Sequence, residues 1–465
     1  MLRAAVAVVA LLPSLAHAQS EAPPKDDAPP VDTVENEADE PTYAFGSYGR
    51  VGVGTDLRGS TPEGINVVQH GSRIVEPSYV ELDLYYGAHD SDDVDVDIVA
   101  TLAFADNLFH YTGDFDTKLA MRNLYAEAKL PSGVNVWIGS RMYRGDSIYL
   151  LDYWALDEVN TIGGGVSWKR GRADVAAHAG ANRLTDAFQL QMVDVPDNEF
   201  GAETITQLDR QRGIATLQGG YRFLGDGVGP SAKVKLFTEV QHLPSGELRR
   251  EDQTIEALPS DFGWSAGAQV GAWGFLPRGS HANLFARWSQ GLAAHDELAV
   301  PFGFDPSKKT FPDSSELVLG WSGNFEQARF GALVGGYLRR FVDADPSDDL
   351  DDGWEYIADV RPYAAVTDSL QGAVDVSYQK RYPRGVSPTS LMPIEPSVFQ
   401  IAPMAVYSPF GLGSYQRPQF RLIYRAAHLD DDARELYPLE DARRAHKWVH
   451  FLGMQVEWWF NSTYR

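Results

Sequence analysis

The chain of 465 residues contains no cysteine, which excludes disulfides. That absence fits an oxidising envelope compartment without requiring one, because secreted soluble proteins also lack cysteine. No apolar run approaches the roughly 20 residues of a membrane-spanning helix, so a helical membrane bundle is excluded as well. Positive charge is scarce: 40 Lys and Arg stand against 64 Asp and Glu, a net charge of −24, which argues against a phosphate-binding, nucleic-acid role. No GxSxG, HExxH or phosphate-binding glycine motif occurs, and no cofactor or metal site is expected.

What is present begins with a leader. MLRAAVAVVALLPSLAHAQS has Arg3, an apolar run from Ala4 to Leu12 and a small-x-small ending at Ala16 to Ala18, the pattern of a secretory signal over residues 1–18. A short buried helix is the alternative, but Pro13 and the AHA ending suit cleavage better. Residues 19–42 are rich in Pro, Asp and Glu and have no aromatic residue, so they bury too little apolar surface to order themselves. They read as a solvated acidic linker or, alternatively, a tether to peptidoglycan or a partner.

Beyond the leader the chain alternates with period two. In SYVELDLYYG, Val80, Leu82, Leu84 and Tyr86 share one face while Tyr79, Glu81 and Asp83 share the other. SLQGAVDVSYQ sets Leu370, Val374, Val376 and Tyr378 against Gln371, Asp375, Ser377 and Gln379, and RPQFRLIYR sets Phe420, Leu422 and Tyr424 against Arg417, Gln419, Arg421 and Arg425. LGMQVEWWF repeats the scheme, with Met454, Val456, Trp458 and Phe460 opposite Gln455, Glu457 and Trp459. These are half-apolar strands of membrane-crossing length.

A soluble sandwich also alternates, so the connections decide. Strand starts fall near 44, 78, 94, 122, 134, 161, 172, 213, 231, 263, 281, 315, 329, 354, 369, 397, 416 and 447. Short links such as 131–133, 169–171, 275–280 and 367–369 alternate with long polar ones at 55–77, 181–212, 291–314, 381–396 and 429–446. Eighteen strands, joined by short turns on one side and long loops on the other, predict an all-β, antiparallel, up-and-down transmembrane barrel over residues 43–460, followed by an extension at 461–465. A closed sheet satisfies its own backbone against lipid, and a barrel this wide leaves a water channel. Trp458 and Phe460 then face outward in an aromatic girdle. Trp459 faces the lumen, either packed under an inward-folded loop or offering a ring to solutes.

GSRMYRGDSIYLLDYW, residues 139–154, closely resembles the third-loop region of maltoporin, the LamB-type sugar-specific porin of bacterial outer membranes. The resemblance extends to FGSYGRVGVG at 45–54, to RPQFRLIYR and to GMQVEWWF, in order from Tyr43 to Phe460. It implies an eighteen-stranded barrel with an inward-folded third loop, a homotrimer in contact with outer-membrane lipid and lipopolysaccharide, and facilitated passage of maltose and maltodextrin-like oligosaccharides. In that family sugars move along aromatic rings flanked by charged side chains. The physics is direct: pyranose faces are apolar and their rims carry hydroxyls, so a stacked ring leaves the hydroxyls to polar neighbours. Each aromatic contact is worth roughly 0.5–1.5 kcal/mol.

Carried over by position, the slide comprises Tyr48, Tyr79, Trp154, Tyr415 and Trp459, with Tyr415 replacing the family's usual tryptophan. The polar track comprises Arg50, Arg73, Glu81, Arg122, Asp152 and Arg144. Tyr48 and Tyr79 have an alternative place in the girdle, but the alternation sets them beside Arg50 and Glu81. The charges have an alternative role in bracing the wall and the inward loop, and both roles can hold together.

The sequence departs from the family pattern at the constriction, where Asp152, Tyr153, Trp154 and Ala155 stand. In register Trp154 takes the central inward position; a slip of one residue substitutes Tyr153. Arg144 lies one place before the expected arginine, which Gly145 replaces. Leu284 stands where the family has a phenylalanine, with Trp288 as a compensating ring. Two other classes compete with a sugar channel. A general-diffusion porin shares the barrel without needing the rings. An outer-membrane barrel hydrolase needs a Ser–His pair near the girdle, and the sequence offers no compelling one.

Overall fold

A computed structural model describes residues 42–464 apart from 92, 110–112, 114–115, 187, 198–200, 225–229, 277–278, 295–304, 347–351, 383–386 and 388–389. The expected signal segment at 1–18 and all but one residue of the expected acidic leader at 19–42 lie outside the described residues. The barrel strands are β1 (Thr42–Thr55), β2 (Tyr79–His89), β3 (Asp95–Asn107), β4 (Asp116–Lys129), β5 (Val134–Arg144), β6 (Glu158–Arg170), β7 (Ala173–Asn182), β8 (Arg212–Leu224) and β9 (Ser231–Leu243). They continue as β10 (Asp261–Trp273), β11 (His281–Gly291), β12 (Ser315–Gln327), β13 (Phe330–Val342), β14 (Gly353–Ala365), β15 (Leu370–Tyr382), β16 (Ser397–Tyr407), β17 (Gln419–Leu429) and β18 (Trp448–Phe460).

Each strand pairs antiparallel with its sequence neighbours, and β1 closes the sheet by pairing with both β2 and β18. Closure leaves no unpaired edge, the condition for a sheet to stand in hydrocarbon. The eighteen-stranded count matches the alternation in the sequence. The main boundary difference is β4, which starts at Asp116 rather than near 122 because the polar Thr117 and Lys118 continue its ladder with β3.

The two faces are chemically distinct. On β17 Phe420, Leu422 and Tyr424 are exposed outward, while Gln419, Arg421 and Arg425 are buried inside. At the short-turn end Tyr43, Phe45, Phe330, Tyr407, Phe420 and Phe460 form an exposed aromatic belt. Trp458 lies on this outer face: its indole covers Gly49, where a Cβ would come within 2.0 Å of the ring, and its Nε1 donates to Ser47 Oγ at 3.1 Å.

β11 differs from its expected register. Leu284 and Trp288 are exposed on the outside, whereas Asn283, Phe285 and Arg287 are buried. The apolar residues of LFARW occupy consecutive positions, so periodicity alone does not fix which one turns inward. Phe285, not Leu284, fills the inner position, and Trp288 adds no ring to the lumen.

The core sits inside the barrel and is built by two inward-folded loops. Ile65, Val67 and Val68 of the 56–78 loop join Ile148, Leu150, Tyr153 and Leu156 of the 145–157 loop, packed on Phe285, Val318, Leu333 and Tyr337 of the wall. Backbone joins the loops where Arg73 N donates to Leu150 O at 3.0 Å. The inward fold of the first loop is not visible in its sequence, which reads as a polar connection. Two other long loops carry hairpins of their own, Leu190–Asp197 with Gly201–Asp209 and Gly246–Arg249 with Ile255–Leu258.

Candidate functional site

The 145–157 loop is tied at both feet to lysines on the inner face of β9. Asp146 accepts from Lys233 Nζ at 2.9 Å and from Gln269 Nε2 at 2.5 Å; Asp157 accepts from Lys235 Nζ at 3.0 Å and from Gly145 N at 2.8 Å. Burial opposes ionisation of Asp146, but Lys233 and Gln269 outweigh it and hold the carboxyl down at about 2. Between these feet a single 3₁₀ turn, Tyr149–Leu151, ends at Asp152 in the left-handed region with φ 54°. That reversal aims Asp152 and Trp154 back across the bore.

Glu457 on β18 organises the polar wall. Its Oε1 accepts from Tyr48 Oη and Arg73 Nη2, both at 3.2 Å, and its Oε2 accepts from Tyr149 Oη at 2.7 Å, Arg417 Nη2 at 2.8 Å and Arg421 Nη2 at 2.7 Å. Arg73 also pairs with Glu76 at 2.7 Å, and Arg50 joins Glu76 at 3.1 Å and Asp152 at 3.3 Å. Glu81 pairs with Arg122, which also donates to Tyr79 Oη at 2.6 Å. Arg50, Arg73, Glu81, Arg122 and Asp152 of the expected polar track are therefore inside the barrel, already hydrogen-bonded to a neighbour.

The rings gather in two groups. In the first, Tyr48 lies 6.1 Å from Tyr79 and stacks at 4.2 Å and 13° on Tyr464, whose edge meets Trp154 at 5.7 Å and 90°. Arg144 sits over the Trp154 ring at 3.8 Å. In the second, Trp459 is 6.4 Å from Tyr415 and 6.2 Å from Tyr149, with Arg417 over its indole at 3.8 Å. Tyr415 arrives from the short-turn end, opposite the loop that carries Tyr149, in the 408–418 turn, which is bent inward by Ser414 N donating to Glu326 Oε1 at 2.6 Å.

The LamB porin family model matches residues 43–460. The chain belongs to the LamB porin family. No curated protein sequence matches it. Among solved structures it is similar to Pseudomonas aeruginosa OccK2 (OpdF) in complex with glucuronate, at 12% identity over 90% of this chain and 97% of that one, with a TM-score of 0.45. The outer membrane channel DcaP of Acinetobacter baumannii gives 11% identity, 90% and 97% coverage and a TM-score of 0.46. A loop L8 deletion mutant of Vibrio cholerae OmpT gives 12% identity, 91% and 100% coverage and a TM-score of 0.36.

The porin is therefore a protein of the bacterial outer membrane, and family and fold indicate a channel rather than an enzyme. Packing sends Tyr153 and Trp154 in different directions. Tyr153 stacks on His70 of the first loop at 3.9 Å and 17° and leans on Tyr337, whereas Trp154 turns to the Tyr48 and Tyr464 group. All eleven expected site residues lie on the inside of the barrel, the rings divided between the two groups above. Sequence reasoning missed Glu76, Tyr149 and Tyr464. Tyr149 was legible as part of YLLDYW, while Glu76 and Tyr464 carry no local signal, since one lies in a polar loop and the other beyond the period-two segment.

Proposed function

We propose that this porin gives facilitated, saturable diffusion to maltodextrin-like oligosaccharides, with Tyr48, Tyr79, Trp154, Tyr415 and Trp459 as stacking surfaces and Arg50, Arg73, Glu81, Arg122, Arg144 and Asp152 as the hydroxyl-binding track. The observation that carries this reading is the Tyr48 group: a ring on the barrel wall, faced by other rings and rimmed by guanidinium and carboxylate groups. A stacked pyranose needs that pairing of flat apolar face and polar rim, and arginine forks and carboxylates match vicinal hydroxyls as donors and acceptors. Weak contacts in series suit transport, because a solute must leave each site it enters.

Current block by graded maltodextrins in planar bilayers tests the reading. Block should saturate with concentration. Trp154→Ala and Trp459→Ala should each weaken it by about 2- to 12-fold, the range of one aromatic contact of roughly 0.5–1.5 kcal/mol. Flux that depends only on solute size, with both variants like the parent, would assign the protein to general diffusion instead. The family resemblance also supports a homotrimer, which native mass measurement in detergent checks.

A further inference from the structure

Residues 461–464 turn back into the barrel from the short-turn end. Asn461 takes the left-handed region with φ 43°, and its carbonyl passes so close to Gly46 that a Cβ there would stand 1.9 Å away. Tyr85 Oη donates to that same carbonyl at 2.6 Å. Thr463 is then fastened to the wall: its N and Oγ1 donate to Asp83 at 3.1 and 2.8 Å, Asn123 Nδ2 donates to its Oγ1 at 3.2 Å, and Thr101 Oγ1 lies 3.2 Å away. These contacts deliver Tyr464 face to face with Tyr48 and edge-on to Trp154. Its hydroxyl donates to Asp152, and Arg122 and Arg144 lie 5.1 and 5.2 Å from its ring.

Tyr464 thus presents a flat ring to the stacking surface and a hydroxyl to the carboxylate. Those are the two contacts that a pyranose would make with Tyr48 and Asp152. The ring is 6% exposed and leaves Tyr48 at 0%, so a sugar cannot stack on the inner face of Tyr48 while Tyr464 is there. We propose that Tyr464 is a tethered, displaceable occupant of the saccharide site, competing with sugar for Tyr48 and Asp152. This rests on the saccharide reading given above. A site whose competent state is only fractionally populated binds more weakly by that fraction, so the tether raises the sugar concentration at which the channel fills and lowers its conductance when no sugar is present.

The test uses the full-length porin in planar bilayers with maltohexaose as the probe. Tyr464→Ala should raise unitary conductance and lower the half-blocking concentration by roughly tenfold. A second variant locks the segment instead: Thr101→Cys with Thr463→Cys, in a chain that has no other cysteine, places two sulfurs where hydroxyls 3.2 Å apart now stand. Oxidised, this pair should resist block, and reductant should restore it. Unchanged or weaker block in Tyr464→Ala, or equal block in the oxidised and reduced pair, overturns the tethered occupant and leaves the sugar site standing. Absence of maltohexaose block in the parent, in Tyr464→Ala and in the reduced pair overturns both.

Discussion

At the residue scale the polar wall turns on one carboxylate that several arginines share. Glu457 is one buried acid shared by Arg73, Arg417 and Arg421. Removing one partner of a buried ionic group leaves uncompensated charge, which costs roughly 3–5 kcal/mol. Glu457→Ala should therefore lower the thermal unfolding midpoint in detergent and shift the reversal potential toward anions. A midpoint that falls with no change of reversal potential would place the cluster off the conduction path. The arginines were legible because 417, 421 and 425 recur on the polar side of RPQFRLIYR, but their common partner was not, since sequence spacing says nothing about a contact across 36 or 40 residues.

At the element scale the two inward loops hold each other, and each has a specific weakness. The 145–157 loop leans on inner-face positions that lack side chains. A Cβ on Gly335 would come within 2.8 Å of Ile148, and one on Gly320 within 3.0 Å. Overpacking of a filled core costs typically 1–3 kcal/mol, so Gly335→Val should displace the loop and alter open-channel conductance together with melting, whereas Gly372→Val, where a Cβ meets open space, should leave both near the parent. The 56–78 loop carries His70, whose imidazole burial and the nearby Arg339 push down to about 3. A free histidine titrates near 6.5, so the docked loop binds fewer protons than the released one. Its stabilisation is complete above about pH 6.5 and fades as pH falls toward 3. Limited proteolysis of the 56–78 loop across that window should show cleavage rising with acidity, and His70→Gln should flatten the profile.

Strands were easier to read than loops for a physical reason. Period-two alternation is imposed along every strand by two different solvents, so its signal repeats over many residues. An inward-folded loop meets a particular wall, and the glycines that receive the 145–157 loop lie far away in the chain. Phe285 shows where even the strand rule fails, because neighbouring apolar residues on both faces erase the alternation. Tyr464 lies outside any strand and answers to Gly46, Asp83 and Asn123, residues more than three hundred positions away.

At the scale of the whole molecule the barrel separates an apolar exterior from a charged interior by one residue along each strand. On β9 Leu236 is exposed outward and Lys235 is buried inward beside Asp157. An arginine facing lipid at mid-bilayer costs roughly 2–4 kcal/mol. Leu236→Arg should therefore lower folding free energy in vesicles by about that amount. Lys235→Arg, one step along the chain, should change gating noise more than stability, since the 145–157 loop is anchored there. Equal losses in both would mean that the two faces are not solvated differently.

The seam between β1 and β18 adds a last consequence. Because the sheet closes only when Ser47 to Thr55 find Leu452 to Phe460, and because the segment carrying Tyr464 departs from that same strand end, completion of the wall and insertion of the ring are successive acts of one piece of chain. On the proposal above, a newly assembled channel reaches the membrane with Tyr464 already seated on Tyr48, so its first sugar meets a competitor that folding itself put in place.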